Sequence, residues 1–268
     1  MKKIKIFALS ASLIIIALGA AAFIKANNNK SSNKKKADDK GFALIELYTS
    51  EGCSSCPPAD ELVAKIEAES KGKPVYILAY HVDYWNRLGW TDQFSSADYS
   101  HRQSDYSKYL KLNSVYTPQI IVNGQTEFVG SEEVVLRNAI KTGLQQTPTN
   151  QLSLSATVAN KTHLDLKYSI EGADKNTVLQ VAVLQKNAQT KVLSGENGGH
   201  TLSHVQIVRK LQQFKLKGSN GVAGIALPNG FDQQKWEIIG FLQNTKTGAI
   251  TGAAKASFTD EVNASAMR

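Results

Sequence analysis

Apolar residues fall into three regimes along the 268-residue chain: one unbroken run near the N-terminus, short runs mixed with helical spacing to about residue 146, and alternation beyond 150. In the middle regime, residues 43–48 (Ala-Leu-Ile-Glu-Leu-Tyr) have the length and composition of a buried strand. A polar turn over 49–56 leads to Pro57-Pro58, which suits a helix start because the first turn needs no backbone donor. Leu62, Val63 and Ile66 recur at helical spacing until Gly72 and Pro74 end the segment. Residues 75–82 make a second buried strand and complete a βαβ unit, whose crossover is expected to be right-handed. Residues 83–114 read as an aromatic and polar insertion, helical from Ser95 through Leu112. Two β-rich runs, 119–122 and 125–129, flank Asn123-Gly124, a strong hairpin signal. Ser131 as N-cap, with Glu132 and Glu133 in the first turn, starts a last helix that ends near Gly143. The order βαβ–α–ββα is the layout of a thioredoxin-like α/β domain, expected over 41–146.

Thr147-Pro148-Thr149-Asn150 is a linker by composition, and the pattern then changes. Leu152, Leu154, Ala156 and Val158 alternate with polar residues, as do Leu164, Leu166 and Tyr168. Further strands are expected at 178–184, 221–227, 236–242 and 249–256. About seven short strands separated by turn residues predict an all-β sandwich-like domain over 151–260.

The first regime is Ile6 to Ile24, preceded by Lys2, Lys3 and Lys5 and containing Ala20 and Ala22 as an A-x-A-like cleavage site. Residues 1–26 therefore read as a signal peptide or as a retained membrane anchor through 6–24. Both readings put the rest of the chain outside the cytoplasm, in a periplasm or secreted. The Asn-, Ser- and Lys-rich stretch 27–40 holds one apolar residue, Ala37, and reads as a disordered spacer. Composition matters here only through where the charge sits. Of the net +8, residues 1–40 carry +7, so no basic field covers the folded part and nucleic-acid binding loses its electrostatic support.

The candidate chemistry rests on two cysteines, Cys53 and Cys56. A bridge between them closes so little chain that it adds almost nothing to stability, which points to chemistry instead. Placed between a strand and a helix start, the pair meets free backbone donors and a helix dipole that favour a thiolate. Cys53 is expected to be the more exposed nucleophile and Cys56 the resolving thiol. A structural disulfide and half of a metal site are the alternatives. Pro118 begins the hairpin strand, where proline is tolerated, and is expected to be cis with Thr117 beside Cys53 at a shared sheet edge. Glu46, a carboxylate in an apolar strand, is a candidate proton shuttle for Cys56; an edge-strand position facing solvent is the alternative. His81, Asp83 and Trp85 leave the second strand at the same edge and, with Thr117, are candidate substrate contacts. Glu196, His200 and His204 have helical spacing, but Gly198-Gly199 breaks that helix, so no metal site is expected. The loop 195–204 is expected either to pack near the cysteine edge, with Glu196 partnering His204, or to close the sandwich far from it.

Four motifs occur in order: Thr49-Ser50-Glu51-Gly52-Cys53-Ser54-Ser55-Cys56-Pro57-Pro58-Ala59-Asp60; His81-Val82-Asp83-Tyr84-Trp85 with Leu88-Gly89-Trp90; Val115-Tyr116-Thr117-Pro118-Gln119; and Gly195-Glu196-Asn197 with Leu202 and His204. Together they resemble a bacterial secreted family catalogued as domain of unknown function 1223, over roughly Phe42 to Ala256. The resemblance implies a thioredoxin-like fold and an export signal, and supplies no substrate. The residues themselves lead to an extracytoplasmic thiol–disulfide oxidoreductase with catalytic Cys53, Cys56, Pro118 and Glu46, no cofactor, and a protein thiol or disulfide as partner. The rival is a thioredoxin-fold binding module for a protein or a soft metal such as Cu(I), with a structural disulfide.

Overall fold

Strand β1 (Ala43–Thr49) is buried at every residue and organises the N-terminal half of the computed structural model, which describes residues 41–259. It pairs in parallel with β2 (Val75–His81) and antiparallel with β3 (Gln119–Val122), which turns at Asn123-Gly124 into β4 (Thr126–Val129). Both turn residues have positive φ, the geometry that an Asn-Gly hairpin requires. Strand alternation then divides the layers. Ile45 and Leu47 face helices α1 (Pro57–Glu69) and α3 (Glu133–Gln145), packing with Val63, Ile66, Ile120 and Leu136. Leu44 and Tyr48 face the other way, toward Tyr99 and Tyr106 of α2 (Ala97–Leu110). The cap of α3 is Glu132, which makes no side-chain capping bond, so Ser131 lies one residue before it. The leader and spacer expected over 1–40 lie outside the described residues, among which no helix is long and apolar enough to cross a membrane.

The C-terminal half does not form a separate sandwich. Strands β7 (Thr177–Lys191), β8 (Thr201–Lys215), β10 (Trp236–Asn244) and β11 (Ile250–Lys255) extend the first sheet, giving the eight-strand order β11-β10-β7-β8-β2-β1-β3-β4. The junction is a parallel contact of β8 with β2, at Ala79↔Ile207. A second sheet, ordered β12-β5-β6-β9, comprises β5 (Gln151–Asn160), β6 (His163–Glu171), β9 (Asn220–Ala226) and β12 (Ser257–Phe258). Its apolar side, with Leu154, Leu164 and Leu166, packs on Leu179, Val181, Val183 and Ile238 of the large sheet. The fold is mixed α/β, with one large mixed sheet and a smaller second one.

The expected boundary at 147–150 is therefore a connection within one body. The described residues cluster as one compact unit, and one core unites Tyr48, Leu78 and Tyr80 with Leu184, Val208 and Phe241. Strand β8 is the element that pattern reading misses. A β-bulge interrupts its pairing with β7, and Gln206 adopts φ 53°. Consecutive buried residues Gln206-Ile207-Val208 replace the alternation by which a strand is recognised.

The shared core sets an expectation for unfolding. Phe241→Ala removes a fully buried ring and should cost about 3–5 kcal/mol. Because that ring packs in the same core as Tyr48 and Tyr80, urea unfolding followed by near-UV and far-UV circular dichroism should give coincident transitions. Two separated transitions would contradict the shared core.

Candidate functional site

The turn after β1 is built by its own backbone. Cys53 N–H donates to Ser50 O at 3.1 Å, Cys56 N–H to Cys53 O at 3.2 Å, and Ala59 N–H to Cys56 O at 2.9 Å. Cys56 is the N-cap of α1, followed by prolines that lack the donors this end leaves free. Cys53 and Cys56 form a disulfide with a Cα–Cα distance of 5.4 Å. The Thr117–Pro118 bond is cis, and the Thr117 hydroxyl donates to Cys53 Sγ at 3.3 Å. Trp85 fixes that hydroxyl from behind, its Nε1–H donating to Thr117 Oγ1 at 2.8 Å. Cys53, Cys56, Thr117, Pro118 and Trp85 thus meet at one place.

Exposure differs from expectation. Both cysteines are fully buried, while Ser54 and Ser55 between them are exposed. The cover is the connection 192–200 between β7 and β8. Asn197 Nδ2 donates to the carbonyls of Glu51 and Cys53 at 2.9 and 3.0 Å, and Glu196 Oε2 accepts from Ser54 N–H at 3.0 Å. The Ser54 hydroxyl and N–H hold the Glu196 carboxyl below the usual range. Ser194 donates to Gly89 O at 2.5 Å, and Gly195, at φ 75°, lies so close to Trp90 that a Cβ there would stand 3.2 Å from the Trp90 Cβ. The loop therefore packs on the cysteine turn, with Glu196 bound to Ser54 and not to His204.

His204 has other partners. It projects from β8 with a side chain 1% exposed, its Nε2 3.5 Å from Glu51 Oε1 and its Nδ1 3.7 Å from Asp60 Oδ1. These are ion-pair distances longer than hydrogen bonds, and neither ring nitrogen has a hydrogen-bond partner. Burial pulls His204 toward neutrality, but Asp60 and Glu51 outweigh it and raise its pKa to about 9. Each carboxylate is tied off by its second oxygen: Asp60 Oδ2 accepts from Thr49 Oγ1 at 2.9 Å and Glu51 Oε2 from Trp90 Nε1 at 2.8 Å. His81 stacks edge-on against His204 with ring centroids 4.8 Å apart, and its Nδ1 lies 2.7 Å from Asp92 Oδ2. Asp92 also accepts from Glu51 N–H at 2.8 Å. Burial works against its charge, but His81 and these donors hold its carboxyl below the usual range.

Three expected roles change with this geometry. Glu46 faces away from α1 and the disulfide, because alternation along β1 turns it with Leu44 and Tyr48 toward α2. There Arg102 grips it through Nε at 2.6 Å and Nη2 at 3.0 Å, and Tyr106 donates to it at 2.5 Å. A carboxylate so paired is a structural anion, not a shuttle for Cys56. Burial, and then the Glu46 charge, push the Tyr106 phenol well above its ordinary pKa. Asp83 accepts from the Ser100 hydroxyl at 2.5 Å and so anchors α2. His81 is fully buried and meets no docking molecule. Glu196, His200 and His204 do not converge, and among the described residues no group of His, Cys, Asp and Glu is arranged to hold a metal ion. Glu51, Asp60, Asp92 and Asn197 carry the site without having been singled out for it. Glu51, Asp60 and Asn197 lie in the motifs quoted above, whereas Asp92 leaves no signal.

The family described as protein of unknown function (DUF1223) matches residues 44–243. A crystal structure of an Agrobacterium tumefaciens protein, 29% identical, covers 80% of this chain and 92% of its own with a TM-score of 0.62. HBP35 of Porphyromonas gingivalis, 17% identical, covers 82% of this chain and 76% of its own with a TM-score of 0.58, a likeness of fold alone. No curated protein matches.

The raised pKa of His204 links stability to pH. A histidine whose pKa is higher folded than unfolded contributes stability that is complete below about 6.5, its ordinary value, and lost as the pH rises through about 9. Urea denaturation of the protein and of His204→Gln should differ more at pH 6 than at pH 10, by ~3 kcal/mol. An unchanging gap would mean that His204 is not protonated in the fold.

Proposed function

The chain belongs to the DUF1223 family, and from that premise we propose that it is a thiol–disulfide oxidoreductase acting outside the cytoplasm on a protein dithiol or disulfide. The observation that carries this reading is the 3.3 Å hydrogen bond from the Thr117 hydroxyl to Cys53 Sγ. Such a donor favours a thiolate over a neutral thiol, since hydrogen bonds to ionised acceptors are the stronger ones. The dipole at the N-terminus of α1 acts in the same direction. Cys53 is then the attacking sulfur and Cys56 the resolving one, with half-buried Trp85 at the rim that a partner meets and buried Pro118 beside Thr117. Strand order β2-β1-β3-β4, with one parallel and two antiparallel pairings, supports a thioredoxin-like reading of residues 41–146. The strands from β5 onward are in this reading a β extension that supplies the cover. The basic-fronted apolar run 6–24 supports export, either cleaved or held in a membrane.

A second reading rests on the burial of both cysteines, which favours a structural disulfide in a binding module. The potential of the pair separates the two. Exchange catalysts lie between about −270 and −120 mV, and structural disulfides below about −300 mV.

After reduction, alkylation below pH 7 should modify Cys53 before Cys56, and Cys56→Ser should accumulate a mixed disulfide through Cys53 with a peptide disulfide. Labelling of Cys56 first, or a potential in the structural range, would overturn the assignment. The cover makes a separate demand. Asn197→Ala deletes two hydrogen bonds to the cysteine turn and should speed reduction by dithiothreitol about tenfold, the equivalent of ~1.4 kcal/mol. Unaltered kinetics would mean that the loop is not the gate.

A further inference from the structure

Beneath the disulfide lies a cluster that exchange by Cys53 alone leaves without a task. Glu51, Asp60, His81, Asp92 and His204 are all buried, and they come from the cysteine turn, α1, β2, the connection before α2, and β8. Burying five ionisable side chains is costly unless each is compensated. Hydrogen bonds compensate some of their atoms, yet Glu51 Oε1, His81 Nε2 and both nitrogens of His204 remain without a hydrogen-bond partner. His204 is the mobile element of the cluster in the chemical sense, a cation held between two carboxylates and bonded tightly to neither. Phe94 closes another side with its ring centroid 5.7 Å from that of His204, and Arg209 sits over the outer face of Phe94 at 5.1 Å.

The cluster is also within one helical turn of the resolving cysteine. Cys56 has helical backbone angles, φ −79° and ψ −35°, and Asp60 N–H donates to its carbonyl at 3.2 Å. Side chains at i and i+4 share one face of a helix, so Cys56 and Asp60 stand in successive turns on the buried side of α1. The carboxylate is oriented by Thr49, which leaves Oδ1 facing His204.

We propose that His204 is the proton store for Cys56, and that Asp60 is the carboxylate through which its proton reaches the leaving sulfur. The inference rests on the oxidoreductase reading and adds to it the residues that manage the proton. When a partner dithiol is oxidised, its first thiolate bonds to Cys53 Sγ and the Cys53–Cys56 bond breaks, leaving the electron pair on Cys56. Left unprotonated, that buried thiolate would face the charges of Asp60 and Glu51 and would re-form the disulfide. The proton passed from His204 by Asp60 makes it a neutral thiol and holds the mixed disulfide open. The partner's second thiolate then attacks the partner sulfur bonded to Cys53, forming the partner disulfide and releasing Cys53 as a thiolate. The partner loses two electrons and the cysteine pair gains them; the two protons shed by the partner thiols enter solvent, and solvent restores one to His204 and supplies Cys53. Asp60, which hands the proton to the reacting sulfur, is catalytic in this scheme, and His204, which acts through it, is a positioning residue.

The test reads the disulfide chemistry without needing the natural partner. Reduction of the full chain by dithiothreitol is followed between pH 6 and 10.5, where the rate is first order in reductant, and each rate is divided by the thiolate concentration. For the unaltered protein the quotient should be level at low pH and fall as the pH passes about 9, where His204 loses its proton. For His204→Gln it should be lower by roughly a hundredfold at neutral pH and flat across the range, so that the gap narrows to a few-fold near pH 10.5. Asp60→Asn, which keeps an oxygen for Thr49, should give the same flat profile and serves if His204→Gln does not fold. Profiles that superimpose on the unaltered protein in a folded variant overturn the proposal. A chain with this profile that exchanges with no peptide disulfide would sink the oxidoreductase reading and leave the proton assignment standing.

Discussion

One pairing, the parallel contact of β2 with β8 at Ala79↔Ile207, carries the rest of the structure. Backbone groups at the edge of a sheet must be paired, covered or wetted. The open edge of β2 is satisfied by a strand more than 120 residues away in sequence, and everything between the two is obliged to fit. The consequence is local as much as global. Placing Ile207 beside Ala79 sets His204 under the cysteine turn and sends the 192–200 connection across its top. A site assembled from Glu51, Asp60, His81 and Asn197 is therefore a product of sheet topology.

Charge is buried on both sides of that sheet, and the two sides solve the problem differently. Toward α2, Glu46 is met by a two-pronged Arg102, by Tyr106, and through Arg102 by the rings of Tyr80 and Phe241. Planar, bidentate pairing of this kind fixes geometry, and its strength makes the group inert. Toward α1, His204 stands at looser distances between two carboxylates, each better bonded elsewhere. A proton is easier to move there than at Glu46, where both carboxylate oxygens are engaged. The contrast separates Glu46 from the cysteine side of the strand, where Thr49 at its end bonds Asp60.

A covered disulfide and the proposed exchange reaction make opposing demands. The cover consists of few interactions: two hydrogen bonds from Asn197, one onto Glu196, and one from Ser194. Hydrogen bonds of this sort contribute about 1 kcal/mol each against water, so the loop can be displaced while the sheet stays intact. Its glycines at 195 and 199, both with positive φ, adopt a backbone that other residues resist. The same contacts that exclude water from the sulfurs also deliver Glu196 to the helix end.

Much of the N-terminal half was legible from residues alone. The Asn123-Gly124 turn, Pro118 at a strand start, the Pro57-Pro58 helix opening and the Cys53–Cys56 pair each follow from local conformational rules, which act over a few residues and leave a mark on composition. What distance along the chain brings together left no such mark. The buried carboxylate of Glu46 announced chemistry in sequence, yet alternation gave it to Arg102, because a strand's two faces are decided by what packs on them. Strand β8 hid behind a bulge that broke its period, and with it went the single large sheet, the cover over the cysteines and the partners of His204. Local propensity records the conformation a segment prefers; the pairing of β8 with β2 records which segments share an edge, and that depends on the whole chain closing at once.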